Sequence, residues 1–171
     1  MRARTRAVLS FPNPVDEHAA RTVAAGVVLL CVAALASQQA WLLVPLAYGF
    51  WARVLSGPTL SPLGQLATRV VAPRLGREPR LVAGPPKRFA QAIGVTFSTT
   101  SLVLWYGFGL GAAAWVVTGL LAGAAFLEAA LGVCLGCRAF ALLMRLGAIP
   151  AGVCVSCGDL TVRHPELARP A

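Results

Sequence analysis

The chain is poor in charge. Only 12% of its 171 residues are charged, whereas 57% are hydrophobic and the mean hydropathy is +0.72. An ordinary soluble domain carries about 25% charged residues, so a soluble protein is excluded. There is no formal charge between Arg21 and Arg53, and Glu128 is the only one between Arg88 and Arg138. Each stretch exceeds the roughly 20 residues of one membrane crossing, so each is expected to cross more than once.

Acidic residues are scarcer still. Six Asp and Glu stand against 15 Lys and Arg, which gives a net charge of +9. A soluble chain with this balance would suggest nucleic-acid binding, but no surface of interleaved aromatic and basic residues remains here, so no nucleic-acid partner is predicted. Basic residues that flank apolar runs are typical of cytoplasmic loops facing anionic lipid. The sequence also lacks a phosphate loop, a Ser/His/Asp set and a carboxylate pair for acid–base chemistry.

Turns divide the two apolar stretches. A polar turn at 37–39, followed by Trp41, interrupts the first stretch, and a glycine-rich turn at 107–111, preceded by Trp105 and Tyr106, interrupts the second. Aromatic residues beside such turns are typical of the membrane interface. We therefore predict an all-α integral membrane protein with four transmembrane helices in two hairpins, at about 17–37, 40–55, 88–106 and 112–137.

Basic residues lie on one side of this arrangement. All 15 Lys and Arg fall in the N-terminal segment, at the helix ends next to it, in a proline-rich loop at 56–88, or after Cys137. The positive-inside rule therefore places both termini and the loop in the cytoplasm. Within the loop, apolar spacing at 62–71 predicts a short helix. Residues 1–146 are expected to form the membrane domain, and residues 147–171 a cysteine-containing cytoplasmic tail.

Four of the five cysteines form two C-x-x-C pairs, Cys134 with Cys137 and Cys154 with Cys157. The first pair lies one helical turn apart near the end of the last predicted span, where Arg138 would favour the thiolate. One interpretation is a redox or sulfur-carrying dithiol that is reachable from the cytosol. A second is a structural four-cysteine zinc site, which the paired spacing also fits. A structural disulfide is disfavoured by a reducing cytoplasm, and simple packing of small side chains is the remaining interpretation.

Glu128 is the only ionisable residue placed deep in a predicted span. Such residues are costly in hydrocarbon and are therefore functional candidates. A hydroxyl run at 96–101 lies at a similar depth, and a neutral, structural Glu128 hydrogen-bonded across the helix pair is favoured over a proton relay. Cys31 is expected to pack in the core. Four-residue spacing of glycines predicts close helix contacts on the last helix, at Gly119, Gly123, Gly132 and Gly136.

Three segments of the sequence resemble a known family. They are Val15-Asp16 leading to Arg21, Pro85-Pro86 followed by Arg88 to Gln91 and Gly94, and Ala129 to Cys137, which ends in C-L-G-C. Over residues of about 12–146 the chain resembles the bacterial membrane family called domain of unknown function 4395. The resemblance implies four helices in the bacterial inner membrane and a C-x-G-C motif on the cytoplasmic side. It implies no established activity, although by analogy thioredoxin-like and sulfurtransferase proteins are the expected partners.

These features lead to one preferred hypothesis and two alternatives. In the preferred one, a membrane-anchored dithiol of Cys134 and Cys137, aided by Arg138, exchanges electrons or sulfur with a soluble thiol protein, and Cys154 and Cys157 act as a resolving pair. The first alternative is a noncatalytic membrane scaffold in which the same four cysteines hold zinc. The second and weaker alternative is a small transporter of solutes or ions, since the sequence lacks the paired short spans that would support transport.

Overall fold

The computed structural model describes residues 13–74, 80–150 and 152–154. This part of the chain is mostly helical, with one minimal two-stranded sheet. In chain order the elements are β1 (Val15–Asp16), α1 (Glu17–Ser37), a 3₁₀ turn (Ala40–Leu42), α2 (Leu43–Ser56), α3 (Pro62–Leu66), a π-helical turn (Ala67–Val71), α4 (Ala72–Arg74), β2 (Leu81–Val82), α5 (Gly84–Tyr106), α6 (Gly111–Leu131) and α7 (Leu135–Arg145). The two strands are antiparallel, with Val15 opposite Val82 and Asp16 opposite Leu81.

Local sequence signals explain where α1 begins and ends. The Asp16 carboxylate accepts a hydrogen bond of 2.9 Å from the His18 backbone N–H, which caps the helix, and Glu17 adds negative charge to the first turn. The helix ends at Ser37, after which Gln38 takes a left-handed conformation with φ of 54°. At 1.5 Å per residue its 21 residues are about 30 Å long, which matches the apolar thickness of a bilayer.

Two helices, α1 and α6, are long and apolar enough to cross a membrane. The apolar segment Ala40–Ser56 is shorter. Helix α5 has 23 residues and begins at Gly84, earlier than predicted, because Pro85 and Pro86 fit the first turn of a helix, where no backbone N–H is needed. The predicted short helix at 62–71 is present as α3 and the π-helical turn.

The predicted last span, 112–137, is wrong at its C-terminal end. Helix α6 ends at Leu131, and Gly132 follows in a left-handed conformation with φ of 69°. The Gly132 N–H donates to the Glu128 carbonyl at 3.1 Å, an arrangement that closes a helix at glycine. Residues 132–134 then lead into α7, so the first cysteine pair belongs to the start of a new helix.

The long helices do not pack as two separate hairpins. Helix α1 packs mainly on α6, α2 on α5, and α5 on α6 and α7, whereas α1 and α2 touch each other little. The central apolar cluster accordingly draws on α1, α2 and α6, with Cys31 fully buried in it as expected: its members are Val27, Cys31, Leu43, Leu46, Phe50, Leu121 and Ala125. Helices α1 and α2 are therefore held in place mainly by their packing against α6 and α5.

The hydroxyl run on α5 serves the packing of these helices. The Ser101 hydroxyl lies 2.6 Å from that of Thr118 on α6 and donates to the Ala114 carbonyl at 2.8 Å. The Trp51 indole N–H on α2 donates to the Thr99 hydroxyl at 3.1 Å. Interhelical hydrogen bonds of this kind satisfy polar groups that would otherwise be costly in an apolar environment.

Glycines permit close approach at some helix contacts and not at others. A Cβ at Gly94 would lie 2.1 Å from the Phe50 ring, and one at Gly136 would lie 2.6 Å from the Ala90 Cα. By contrast, a Cβ at Gly119 or Gly123 would meet nothing within 4 Å. The close contacts predicted for these last two glycines are therefore wrong within the described part of the chain.

A matched pair of glycine substitutions tests this packing. Replacing Gly94 by alanine is expected to lower the free energy of unfolding by about 1–3 kcal/mol, because the new methyl group forces the buried Phe50 ring to move. The Gly123→Ala variant is the control and should be neutral or slightly stabilising, since the added methyl meets open space. Thermal unfolding in detergent measures both, and equal midpoints for the two variants would contradict the proposed contact.

Candidate functional site

The first cysteine pair occupies the N-terminus of α7. Cys134 is the N-cap residue, with φ of −86° and ψ of 105°, and Cys137 lies in the first turn. The Cys137 backbone N–H donates to the Cys134 sulfur at 3.3 Å. Unpaired N–H groups and the helix dipole both favour negative charge at this end of a helix. The pair was predicted to lie within one continuous helix, and this is wrong. Cys134 instead caps the start of a new helix, where a thiolate is stabilised.

The turn before the pair is fixed by an arginine from α1. The Arg21 guanidinium donates to the Ala129 carbonyl from Nε at 3.2 Å and from Nη2 at 3.0 Å, and to the Ala130 carbonyl at 2.9 Å. These are terminal carbonyls of α6 that lack a partner within the helix. Arg21 therefore caps α6 from a helix more than 100 residues away, and thereby sets where the chain turns toward Cys134.

The glycine of the C-L-G-C motif brings α7 against α5. Any side chain at Gly136 would collide with the backbone of Ala90. Further along, the rings of Phe89 and Phe140 pack with centroids 5.5 Å apart and Phe140 is buried. The start of α5 is thereby held beside the cysteine pair.

A buried ion pair lies in this region. Lys87 Nζ is 2.5 Å from Glu128 Oε1, and the two side chains are only 10% and 16% exposed. The expected partner of Glu128, the hydroxyl run at 96–101, is therefore wrong, because its carboxylate meets Lys87 of α5. From the sequence, Lys87 belongs to the basic loop at 56–88. Nothing in the spacing of that loop indicates that Lys87 lies at the start of α5 and points toward Glu128.

The environment separates the acidities of the two thiols. A hydrogen bond from Cys137 lowers the pKa of Cys134, helped by the charge of Lys87 and opposed by burial and by Glu128. The pKa of Cys137 is raised, first by its hydrogen bond to Cys134 and then by burial. The pair is therefore built to hold one negative charge on Cys134, with Cys137 as the thiol that stabilises it.

The two cysteines differ in access, and Arg138 is separate from them. Cys134 is 9% exposed, whereas Cys137 is half-buried, so Cys137 is the more accessible of the two thiols. The Arg138 side chain is exposed, and its backbone N–H donates to the Cys134 carbonyl at 3.1 Å. The charges of Lys87 and Glu128 affect the pKa of both thiols. Lys87 lowers it and so favours the thiolate, and Glu128 raises it.

The second cysteine pair is described only in part. Cys154 is buried and disulfide-bonded, and Cys157 lies outside the described residues. A disulfide at Cys154 differs from the reduced pair expected in the tail. Within residues 13–74, 80–150 and 152–154, no three His, Cys, Asp or Glu side chains lie close enough together to hold a metal ion. The three described members of the predicted zinc set therefore do not form a metal site with one another.

A pocket of about 400 Å³ lies against Cys134. It runs between α1, α5 and α6 to the start of α7, and its wall is mainly apolar. Glu128 and Gln91 are the polar side chains that line it together with the Cys134 thiol. No pattern of consecutive residues predicts this pocket, because its walls come from five helices.

The family comparison covers the whole of this site. The model of the family described as "Domain of unknown function (DUF4395)" matches residues 15–145. The chain belongs to this family. The matched DUF4395 segment contains Lys87, Glu128, Cys134 and Cys137, and it ends before Cys154. No curated protein and no solved structure is significantly similar to this DUF4395 chain.

Substitutions in the ion pair test the electrostatics of the DUF4395 site. Replacing Lys87 by glutamine should raise the pKa of Cys134, because the cation that favours the thiolate is lost. Replacing Glu128 by glutamine should lower it, because the opposing negative charge is removed. The rate of alkylation of Cys134 is measured against pH in a Cys137→Ser background, with the parent Cys137→Ser protein as the reference. Thiolate forms as pH rises through the pKa, so the Lys87 profile should move to higher pH and the Glu128 profile to lower pH.

The double variant with glutamine at both positions is the matched control, since it removes both charges together. Its profile should lie between those of the two single variants. Shifts of the single variants in the same direction would show that Lys87 and Glu128 do not act on the thiol through their charges.

Proposed function

We propose that the protein is a membrane-anchored dithiol protein that exchanges electrons or sulfur with a soluble thiol protein at the cytoplasmic face of the bacterial inner membrane. The observation that carries this proposal is the position of Cys134 at the N-terminus of α7, where Cys137 donates to its sulfur and Lys87 adds positive charge. This arrangement lowers the cost of a thiolate, the form of cysteine that exchanges disulfides and carries sulfur.

Membrane anchoring is supported by the outer surface of the helices. Large apolar side chains project from α1, α2 and α6 into the surroundings, and they include Leu29, Val32, Val44, Val116, Leu120 and Phe126. Exposed apolar side chains on three helices, in a chain with few charged residues, favour contact with lipid. In the proposed topology α1, α2, α5 and α6 are the four spans, and both termini are cytoplasmic. The Cys134 and Cys137 pair, just beyond the last span, then faces the cytoplasm.

The topology is tested by a fusion. A reporter that fluoresces only in the cytoplasm, joined to the C-terminus, should give full signal, because all Lys and Arg lie on the proposed cytoplasmic side. A matched second fusion carries the reporter in the turn at 107–111 and should be dark. A dark C-terminal fusion at normal abundance would contradict the topology.

The exposure of the two cysteines suggests the order of disulfide exchange. In the oxidised protein, the thiolate of a soluble dithiol partner attacks the sulfur of the more accessible Cys137, and the Cys134–Cys137 bond breaks with its electron pair leaving on Cys134. Cys134 is the better leaving group, since its thiolate is the stabilised one. The second thiol of the partner then attacks the mixed disulfide and releases Cys137. The partner is oxidised by two electrons, and the Cys134/Cys137 pair is reduced by two.

A trapping experiment tests this proposal. Protein purified anaerobically in detergent is mixed with a thioredoxin-like protein whose resolving cysteine is replaced by serine and whose remaining cysteine carries an aromatic thiol as a mixed disulfide, and the products are separated without reductant. In the Cys134→Ser variant, Cys137 displaces the aromatic thiol and should accumulate in a mixed disulfide with the partner, because neither protein retains a neighbouring thiol to release it. Wild type should show only a transient adduct, and Cys31→Ser is the matched control because Cys31 is buried in the core.

Metal and thiol measurements complete the test. Metal-free protein with two reactive thiols at Cys134 and Cys137 is expected. Near-stoichiometric zinc with four protected cysteines would overturn the dithiol in favour of the metal scaffold. The Cys154→Ser variant shows whether the second pair resolves the first. Unchanged turnover with the partner would exclude that role.

A further inference from the structure

The pocket beside Cys134 is large enough for a small molecule. Its volume of about 400 Å³ is within the range of small-molecule sites, and it is partly open to the outside of the bundle. Phe97, which lines its far part, is ten residues beyond Lys87 on α5, or about 15 Å along the helix. The pocket therefore extends from the cysteine pair into the apolar part of the helix bundle.

The polar groups of the pocket are gathered at its thiol end. Gln91 Oε1 accepts a hydrogen bond of 2.9 Å from Arg53 Nε, so that the Gln91 amide nitrogen is left as a donor in the pocket wall. Arg53 is 5% exposed and stacks over the Phe50 ring at 4.5 Å. Its buried charge strengthens Gln91 as a donor in these low-dielectric surroundings. Glu128, paired with Lys87, supplies an acceptor at the same end.

The sulfur chemistry narrows the choice of ligand. Cys134 lines the pocket and is otherwise buried, so a molecule in the pocket is placed against the more acidic of the two thiols. A ligand for this site needs a flat or elongated apolar body and polar atoms at one end only. A dithiol that is reduced by a soluble partner also needs an acceptor for two electrons if it is to act repeatedly.

We infer that the pocket binds a lipophilic quinone from the bilayer, and that the dithiol of Cys134 and Cys137 reduces it to the hydroquinone. This inference rests on the proposed dithiol function and names its second substrate. The quinone ring lies against Cys134, with a carbonyl oxygen accepting from Gln91, and its apolar tail follows the wall formed by residues such as Phe97 and Leu121 toward lipid.

The electrons and atoms balance in two steps. The Cys134 thiolate adds to a ring carbon of the quinone and forms a carbon–sulfur bond. The Cys137 thiolate then attacks the Cys134 sulfur, forming the disulfide and breaking the carbon–sulfur bond with its electron pair leaving on the ring. The two protons released by the thiols complete the hydroquinone. Two thiols are oxidised to one disulfide, and one quinone takes up two electrons and two protons.

The test uses the full-length, fully reduced protein in detergent, without oxygen, and a decyl-substituted benzoquinone as the probe. Hydroquinone formation is followed by absorbance, and the disulfide is identified by mass spectrometry of peptides. We expect one hydroquinone per chain and a disulfide between Cys134 and Cys137.

Variants on α6 locate the reaction. Ala124 lines the pocket, and Ala124→Phe should slow quinone reduction by about tenfold or more because the ring occupies the ligand volume. Ala124→Leu should slow it less. The matched control, Ala113→Phe, adds the same ring at an exposed position on α6 outside the pocket, and its rate should equal that of wild type.

A water-soluble aromatic disulfide, offered to the same proteins, separates this inference from the function on which it rests. All variants should reduce it at the wild-type rate, which also shows that their sites are folded. Reduction of the aromatic disulfide without reduction of the quinone would overturn the quinone site and leave the dithiol function standing. Failure with both oxidants would overturn both. Quinone reduction by Ala124→Phe and Ala124→Leu at the wild-type rate would place the reaction outside this pocket.

Discussion

The ion pair between Lys87 and Glu128 is the interaction that holds the cysteine site together. Two charges at 2.5 Å, both largely removed from water, are stable only while each has the other, because an unpaired charge left in such surroundings costs several kcal/mol. The pair therefore fixes the start of α5 against the last turns of α6. The cysteine pair is tied to both helices, since α7 follows α6 in the chain and Gly136 packs on Ala90 of α5.

Helix termini explain how the candidate site favours a thiolate at Cys134, although the described residues hold no group of metal ligands. Arg21 caps the carbonyl end of α6, and the next helix then begins with the Cys137 backbone N–H donating to the Cys134 sulfur. One turn of chain thus joins the negative end of one helix to the positive end of another, with Arg21 at the carbonyls of the first and the charge of Lys87 acting on Cys134 at the second. The glycine at position 136 makes the arrangement compact, since a side chain there would separate α7 from α5.

The different burial of the two cysteines is what the proposed function uses. Cys137 is half-buried and is proposed to meet the soluble partner, whereas Cys134 borders an apolar pocket among the helices. A pair of adjacent sulfurs with these different surroundings can connect a soluble reaction to a lipid-soluble one. Membership of the DUF4395 family adds no activity to this argument, but the matched segment contains the whole of the first pair and its ion pair.

Composition and local spacing were enough to predict the apolar helices, the turn signals between them and a cysteine pair near the end of the last long helix. All of these features can be read from consecutive residues, as can the cap at Asp16 and the core position of Cys31. The packing of α1 on α6, the choice of Lys87 over Arg138 as the cation for the thiols, and the pairing of Glu128 could not be read in this way. Each depends on residues far apart in the chain meeting across helices, and the energy of a buried charge is set by the partner it meets there. The end of α6 at Leu131 belongs with them, because a glycine can continue a helix or close it, and the cap that Arg21 provides comes from more than 100 residues away.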